Sequence, residues 1–394
     1  MNLLFYEWGS YMYQDMADIF QKKGIRFQTF RYYLQDKNRD EKFETLLAGE
    51  LKKKHYDAVF SINYFPVVAK LCYQYSILYI SWSYDNPLNV QNIEETLDYP
   101  TNRVYLFDRL QAKKYQDAGF EHIFHLPLAV NTERLDKIKP TGKTDGKSQV
   151  ADAKGKRYGG EISFVGNLYS SALALYTSQM NPYQKGYIEG ICTAQQQIYG
   201  YYFIDEMLTD DFMESVQKQY KSINPNTEFV LPKEALSYAM AAEVTRKERL
   251  TLLSLLSNHH EVVLYSRDEC DFLKKVIQGG TCDYFTEMPM IFKSSKINLN
   301  ITLKCLQSGV PLRALDIMGC GGFLLSNYQE ELAEYFVSGQ DMVLYDSITD
   351  AYEKTEFYLK NDEAREKIAK NGYLIVKQEF DYENRLKALL QELI

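Results

Sequence analysis

Paired cysteines, a basic surplus and long apolar stretches are all missing from this 394-residue chain. Its six cysteines (Cys72, Cys192, Cys270, Cys282, Cys305 and Cys320) form no C-x-x-C pair, and its five histidines complete no zinc pattern. Neither a disulfide framework nor a structural zinc site is expected. Basic residues number 45 against 53 acidic, a formal charge of −8. No overall positive field draws in nucleic acid or anionic lipid. The uncharged run Leu71–Tyr84 is too short and too polar to span a membrane. The opening MNLLFYEWGSYMYQD has no basic segment leading into a long apolar one, so it does not read as a secretory signal. A cytoplasmic protein with no nucleic-acid partner and no membrane span is expected.

Several catalytic signatures are absent too. There is no G-x-x-x-x-G-K-[ST], no G-x-S-x-G, and no G-x-G-x-x-G after the first strand. ATP hydrolysis, serine hydrolysis and NAD chemistry lose ground accordingly. No D-x-D pair follows a strand, which argues against a metal-dependent enzyme, and no resident cofactor is expected either.

What is present is a globular balance: 45% hydrophobic and 25% charged residues, in a length that suits two or three domains. The 33 tyrosines point to amphipathic, half-buried surfaces. Over the first 130 residues short apolar runs alternate with helical spacings. Strands read at 2–6, 26–30, 58–62, 77–81, 103–107 and 122–126. Helices read at 11–23, 66–74 and 110–117. This rhythm predicts a parallel sheet with helices on both faces. From 131 to 160 the sequence turns rich in Lys, Gly and Asp without apolar periodicity, which reads as a linker. A second α/β region begins at Ile162–Val165. Residues 170–256 carry helical patterns only and read as an insertion. Strands resume at 262–265, 297–300, 323–325 and 342–345, and three amphipathic helices end the chain.

The stretch KINLNITLKCLQSGVPLRALDIMGCGGFLLSN, 296–327, reads as strand, loop, helix, glycine turn and strand. Pro311 suits the first turn of a helix. That helix would point its N–H groups and positive dipole end to where a parallel sheet binds ligands, a place for a diphosphate. Gly309 lies in the loop before it. Arg313, in the first turn, can meet phosphate oxygens as a fork, and Asp316, one turn on, can accept bonds from ribose hydroxyls. An Arg and an Asp near a helix start also serve simply to compensate its dipole.

LRALDIMGCGGFLLSN resembles the donor-site segment of GT-B glycosyltransferases, and most closely the CgeB-like group named for spore maturation proteins. SSKINLNIT before it, and Phe336, Gly339 and Tyr345 after it, extend the likeness over about 280–380. WSYDNP resembles a W-x-x-D-x-P segment of the same group. The resemblance implies two Rossmann-like, doubly wound domains facing across a cleft. Their expected bounds are an acceptor domain at 1–135, a linker at 136–160, and a nucleotide-sugar domain at 161–380 with the insertion at about 170–256. A last helix, 381–394, would pack back on the first domain. It also implies a nucleotide-sugar donor, a glycan, protein or small-molecule acceptor, and sugar transfer to a hydroxyl without metal. Many retaining members carry two glutamates eight positions apart; here these positions hold Ser308 and Asp316.

Other candidates follow strands. Gly166 and Asn167 come directly after ISFV, where a glycine lets backbone approach a ligand. Arg267 follows VVLY and suits phosphate, Tyr284 in TCDYFTEMP suits stacking on a base, and Asn300 ends the strand before Ser308. Each also suits ordinary packing. In the first domain Asp85 of WSYDNP is either the general base or the cap of an Asp-Asn-Pro turn, and Glu7 in YEWGSY is the rival base. A nucleotide-sugar epimerase and a catalytically inactive scaffold remain alternatives.

Overall fold

The computed structural model describes residues 2–88, 93–140, 149–151, 157–268 and 270–391. Its contacts divide the chain into two units. The first comprises Met1–Glu133, Ser308–Leu315 and Ile375–Ile394; the second comprises Arg134–Gln307 and Asp316–Leu374.

The first unit holds a sheet of β1 (Asn2–Glu7), β2 (Arg26–Arg31), β3 (Ala58–Ile62), β4 (Leu78–Ser83), β5 (Asn102–Leu106) and β6 (Ile123–His125). Their order is β2-β1-β3-β4-β5-β6, every pair parallel. Alternation along β1 explains how both faces are buried. Leu4 and Tyr6 join Phe43, Leu47, Val59 and Val68 in one core cluster. Phe5 meets Tyr13, Phe20 and Phe60 ring to ring, at centroid distances of 4.6, 5.7 and 5.1 Å. Residues 375–391 belong to this unit, and Tyr382 packs edge-on against Trp82.

The second unit contains a short antiparallel hairpin, β7 (Gln149–Ala151) and β8 (Arg157–Gly159), and a six-stranded sheet. That sheet is built from β9 (Ile162–Val165), β10 (Val262–Tyr265), β11 (Ile277–Gln278), β12 (Ile297–Asn300), β13 (Leu324–Asn327) and β14 (Val343–Tyr345). The order is β11-β10-β9-β12-β13-β14, again wholly parallel. The insertion forms helices with a core of their own, including Ile188, Ile191, Val216, Leu236 and Met240. Helix Lys233–Leu256 serves two cores: Met240 and Val244 face the insertion cluster, while Leu252, Leu253 and Leu256 join the sheet cluster. Among the described residues no helix is long and apolar enough to cross a membrane.

The structure adds two features that the sequence reading did not include. The rhythm passes over helix Glu41–Lys53, although Asp40 caps it by accepting from the Phe43 N–H at 3.0 Å and Phe43, Leu47 and Leu51 are its buried positions. Within the stretch read as a linker, Thr132–Lys137 is helical and β7 pairs with β8, while 141–148 and 152–156 lie outside the described residues. Tertiary contact decides here: Tyr158 is buried and donates to Glu287 at 3.0 Å, and the Gly159 N–H donates to the Tyr265 hydroxyl at 3.0 Å.

The turn Gly319-Cys320-Gly321-Gly322 has a physical cause at each of its last two positions. Gly321 sits at φ 73°, in the left-handed region that costs any residue with a Cβ. At Gly322 a Cβ would lie 2.8 Å from both the Phe292 carbonyl oxygen and the Asn298 Nδ2. Gly322→Ala is therefore expected to destabilise the second unit by about 1–3 kcal/mol, seen as a lower denaturant midpoint for the full chain.

Candidate active site

In each sheet the chain reverses its direction of winding beside the first strand, between β1 and β3 and between β9 and β12. Open α/β sheets bind ligands at the carboxyl ends of the strands beside such a reversal. Glu7 ends β1, Asp85 follows β4, Gly166 and Asn167 follow β9, Arg267 follows β10 and Asn300 ends β12.

At the edge of the first sheet, Asn63 follows β3 with φ 65°, a conformation that asparagine tolerates better than most residues. Its side chain organises the WSYDNP loop. Nδ2 donates to Asp85 Oδ2 at 2.7 Å, and Oδ1 accepts from the N–H groups of Tyr84 and Asp85 at 2.9 and 3.3 Å. Burial pushes the Asp85 carboxyl above its ordinary range, while Lys37 and the Asn63 bond pull the other way. Glu7, 6% exposed, is more heavily engaged. It pairs with Arg31 and accepts from the Gly9 N–H at 2.7 Å, which fixes the turn after β1.

At the edge of the second sheet, Gly166 follows β9 at φ 154°, a backbone that few residues besides glycine adopt. Its neighbour Asn167 is exposed, and the Asn167 carbonyl accepts from Arg249. Arg249, 1% exposed, also donates to the Ile301 carbonyl, and so ties the loop after β9 to the loop after β12. Beside it Lys304 and Glu248 form a buried ion pair at 3.0 Å, and Glu248 accepts from the Tyr199 hydroxyl at 3.0 Å. Arg267 is exposed after β10. Asn300 is wholly buried, donating to Thr302 and Ser326 at 3.0 and 2.9 Å, so its amide stitches β12 to β13.

Helix Leu312–Gly319 begins directly after Pro311. Asp316, 1% exposed, accepts from the Tyr284 hydroxyl at 3.0 Å, and the Arg134 guanidinium lies 5.7 Å from the Tyr284 ring centre. The structure thus joins two residues chosen separately for ribose and base. Arg313 is half-buried in the first turn. Ser308 is wholly buried, its hydroxyl donating to Asp108 at 3.0 Å and its N–H at 3.1 Å. A Cβ on Gly309 would come within 2.9 Å of the Phe107 ring, so close packing alone accounts for glycine there. Among the described residues no three His, Cys, Asp or Glu side chains come together as a metal-ligand set.

Sequence reading missed Asn63, Asp108, Arg134, Arg249 and Lys304. Only Asp108 left a local signal: it precedes helix Arg109–Asp117 and caps it by accepting from the Gln111 N–H at 3.0 Å, as an N-cap aspartate does.

Residues 246–391, which contain Arg313 and Asp316, match the model of a family described as glycosyl transferase-like. No curated protein matches the sequence. Among solved structures, Anabaena HepE in complex with UDP and glucose superposes with TM-score 0.51 at 10% identity, covering 100% of this chain and 99% of its own. Sucrose-phosphate synthase from Thermosynechococcus elongatus gives 0.57 at 8% identity, with 100% and 98% covered. A UDP-forming trehalose-phosphate synthase from Burkholderia xenovorans gives 0.51 at 10% identity, with 100% and 98% covered. The fold is GT-B: two Rossmann-like units of parallel sheet.

Proposed function

We propose that the chain is a glycosyltransferase that moves a sugar from a nucleoside-diphosphate sugar to an acceptor hydroxyl without metal. The observation that carries this reading is the bond from the Tyr284 hydroxyl to Asp316 on helix Leu312–Gly319, whose first turn carries Arg313, inside the segment that matches the glycosyl transferase-like family. Arg313 and the helix amino end would neutralise the leaving diphosphate, which is electrostatic stabilisation of developing charge. Asp316, oriented by Tyr284, would accept from the ribose, and Gly166 would let backbone approach the donor. HepE was captured with UDP, which makes a uridine nucleotide the first choice. RALDIMGCGG supports a place in the CgeB-like group. Asp85 would take the proton from the acceptor.

A panel of UDP-, GDP-, CDP- and dTDP-sugars tested by thermal shift checks the reading. A ligand that binds the native form at a hundred times its Kd adds about 2.7 kcal/mol, a rise of several degrees. UDP-sugars are expected to give it; no shift from any of the four classes at millimolar concentration would remove the assignment. Product analysis without acceptor separates transfer from epimerisation, since only an epimerase alters the sugar itself.

A further inference from the structure

Four donors converge on one carboxylate in the first unit. Asp108, 0% exposed, accepts through Oδ1 from the Gln111 N–H and the Ser308 hydroxyl, each at 3.0 Å. Through Oδ2 it accepts from the Ser308 N–H at 3.1 Å and from Asn86 Nδ2 at 2.8 Å. The Ser308 hydroxyl in turn accepts from the Leu110 N–H at 3.2 Å. Gly309 lies so close that a Cβ would sit 3.0 Å from the Asp108 Cα. Two loops thus hang on one anchor. Asn86 adjoins Asp85, and Ser308 leads through Pro311 into the helix that carries Arg313. Hydrogen bonds to a buried carboxylate are among the stronger ones, and leaving any of these donors unpaired is costly.

We propose that Asp108 is a positioning residue that locks the Tyr84–Pro87 loop and the Ser308–Pro311 loop into one arrangement, so that the general base and the diphosphate cradle are set together. The proposal deepens the transferase reading and rests on it for its catalytic meaning. It also gives Ser308 a role that a glutamate cannot fill: a second carboxylate facing buried Asp108 would set two like charges side by side. The serine is a tether rather than a contact to the donor sugar.

The test uses the full chain, with Asn86→Ala, Ser308→Ala, their double variant and Ser308→Thr. Hydrogen exchange is read over both loops, and UDP binding by calorimetry. Asn86→Ala is expected to speed exchange at residues 308–311 by more than threefold, with the strands of the first sheet unchanged. It should weaken UDP binding about threefold to tenfold, although its own side chain lies in the other loop. The double variant should be no worse than the weaker single one, since both remove legs of the same tether. Ser308→Thr, which keeps the hydroxyl, should bind UDP within about twofold of wild type. Normal exchange at 308–311 in Asn86→Ala, or additive losses in the double variant, would overturn the tether. A wild-type chain that fails to bind UDP would remove the uridine donor reading instead, and the exchange arm, which needs no ligand, would still decide the tether.

Discussion

Arg313→Ala is expected to lower turnover by roughly 10²–10³-fold, the loss typical of removing one group aimed at developing charge, and to weaken nucleotide binding as well. The guanidinium stands half-buried in the first turn of helix Leu312–Gly319. There the helix dipole and the side chain carry the same sign. In the proposed transfer a leaving diphosphate would gain negative charge as the glycosidic bond breaks, so the loss should fall on the transition state more than on the bound donor. Arg313→Lys keeps the charge but not the planar fork, and should recover part of the turnover and less of the affinity. Steady-state kinetics with the donor identified by thermal shift decide it; unchanged kinetics in Arg313→Ala would take the residue out of the site.

Helix Leu312–Gly319 was legible because its signals are local: a proline at its start, Arg and Asp one turn apart, glycines at its end. The same holds for β3, β9, β10 and β12, whose short apolar runs are read residue for residue. Helix Glu41–Lys53 carried an equally local signal in Asp40 and Glu44. What the sequence concealed is long-range pairing. Asp108 and Ser308 lie 200 positions apart, Arg249 and Asn167 lie 82 apart, and no spacing rule links them. β7 and β8 illustrate the other limit. In a stretch rich in Lys and Gly, packing of Tyr158 and Gly159 against the rest of the second unit imposes strand where propensity favours loop.

Asp85→Asn is the sharper test of mechanism, because its effect on chemistry and its effect on the fold run in opposite directions. Burial raises the Asp85 carboxyl above the ordinary range, about 3.9 for a free aspartate. A folded-state pKa above the unfolded one means that the native state holds the proton more tightly. Stability linked to Asp85 is therefore greatest at low pH and declines as pH rises from the unfolded value through the folded one. At neutral pH the ionised side chain is a cost, and an asparagine, which still accepts from Asn63, removes it. The melting temperature of Asp85→Asn is expected to hold or rise at pH 7. Turnover should nevertheless fall by about 10²–10⁴-fold, the span of a lost general base, with UDP affinity within about twofold of wild type. The wild-type rate should climb with pH through an acid limb lying above the ordinary aspartate range, and that limb should vanish in the variant. If Asp85→Asn lost UDP binding while its acid limb survived, Asp85 would belong to the donor site and the base would have to be found elsewhere, with Glu7 next in line.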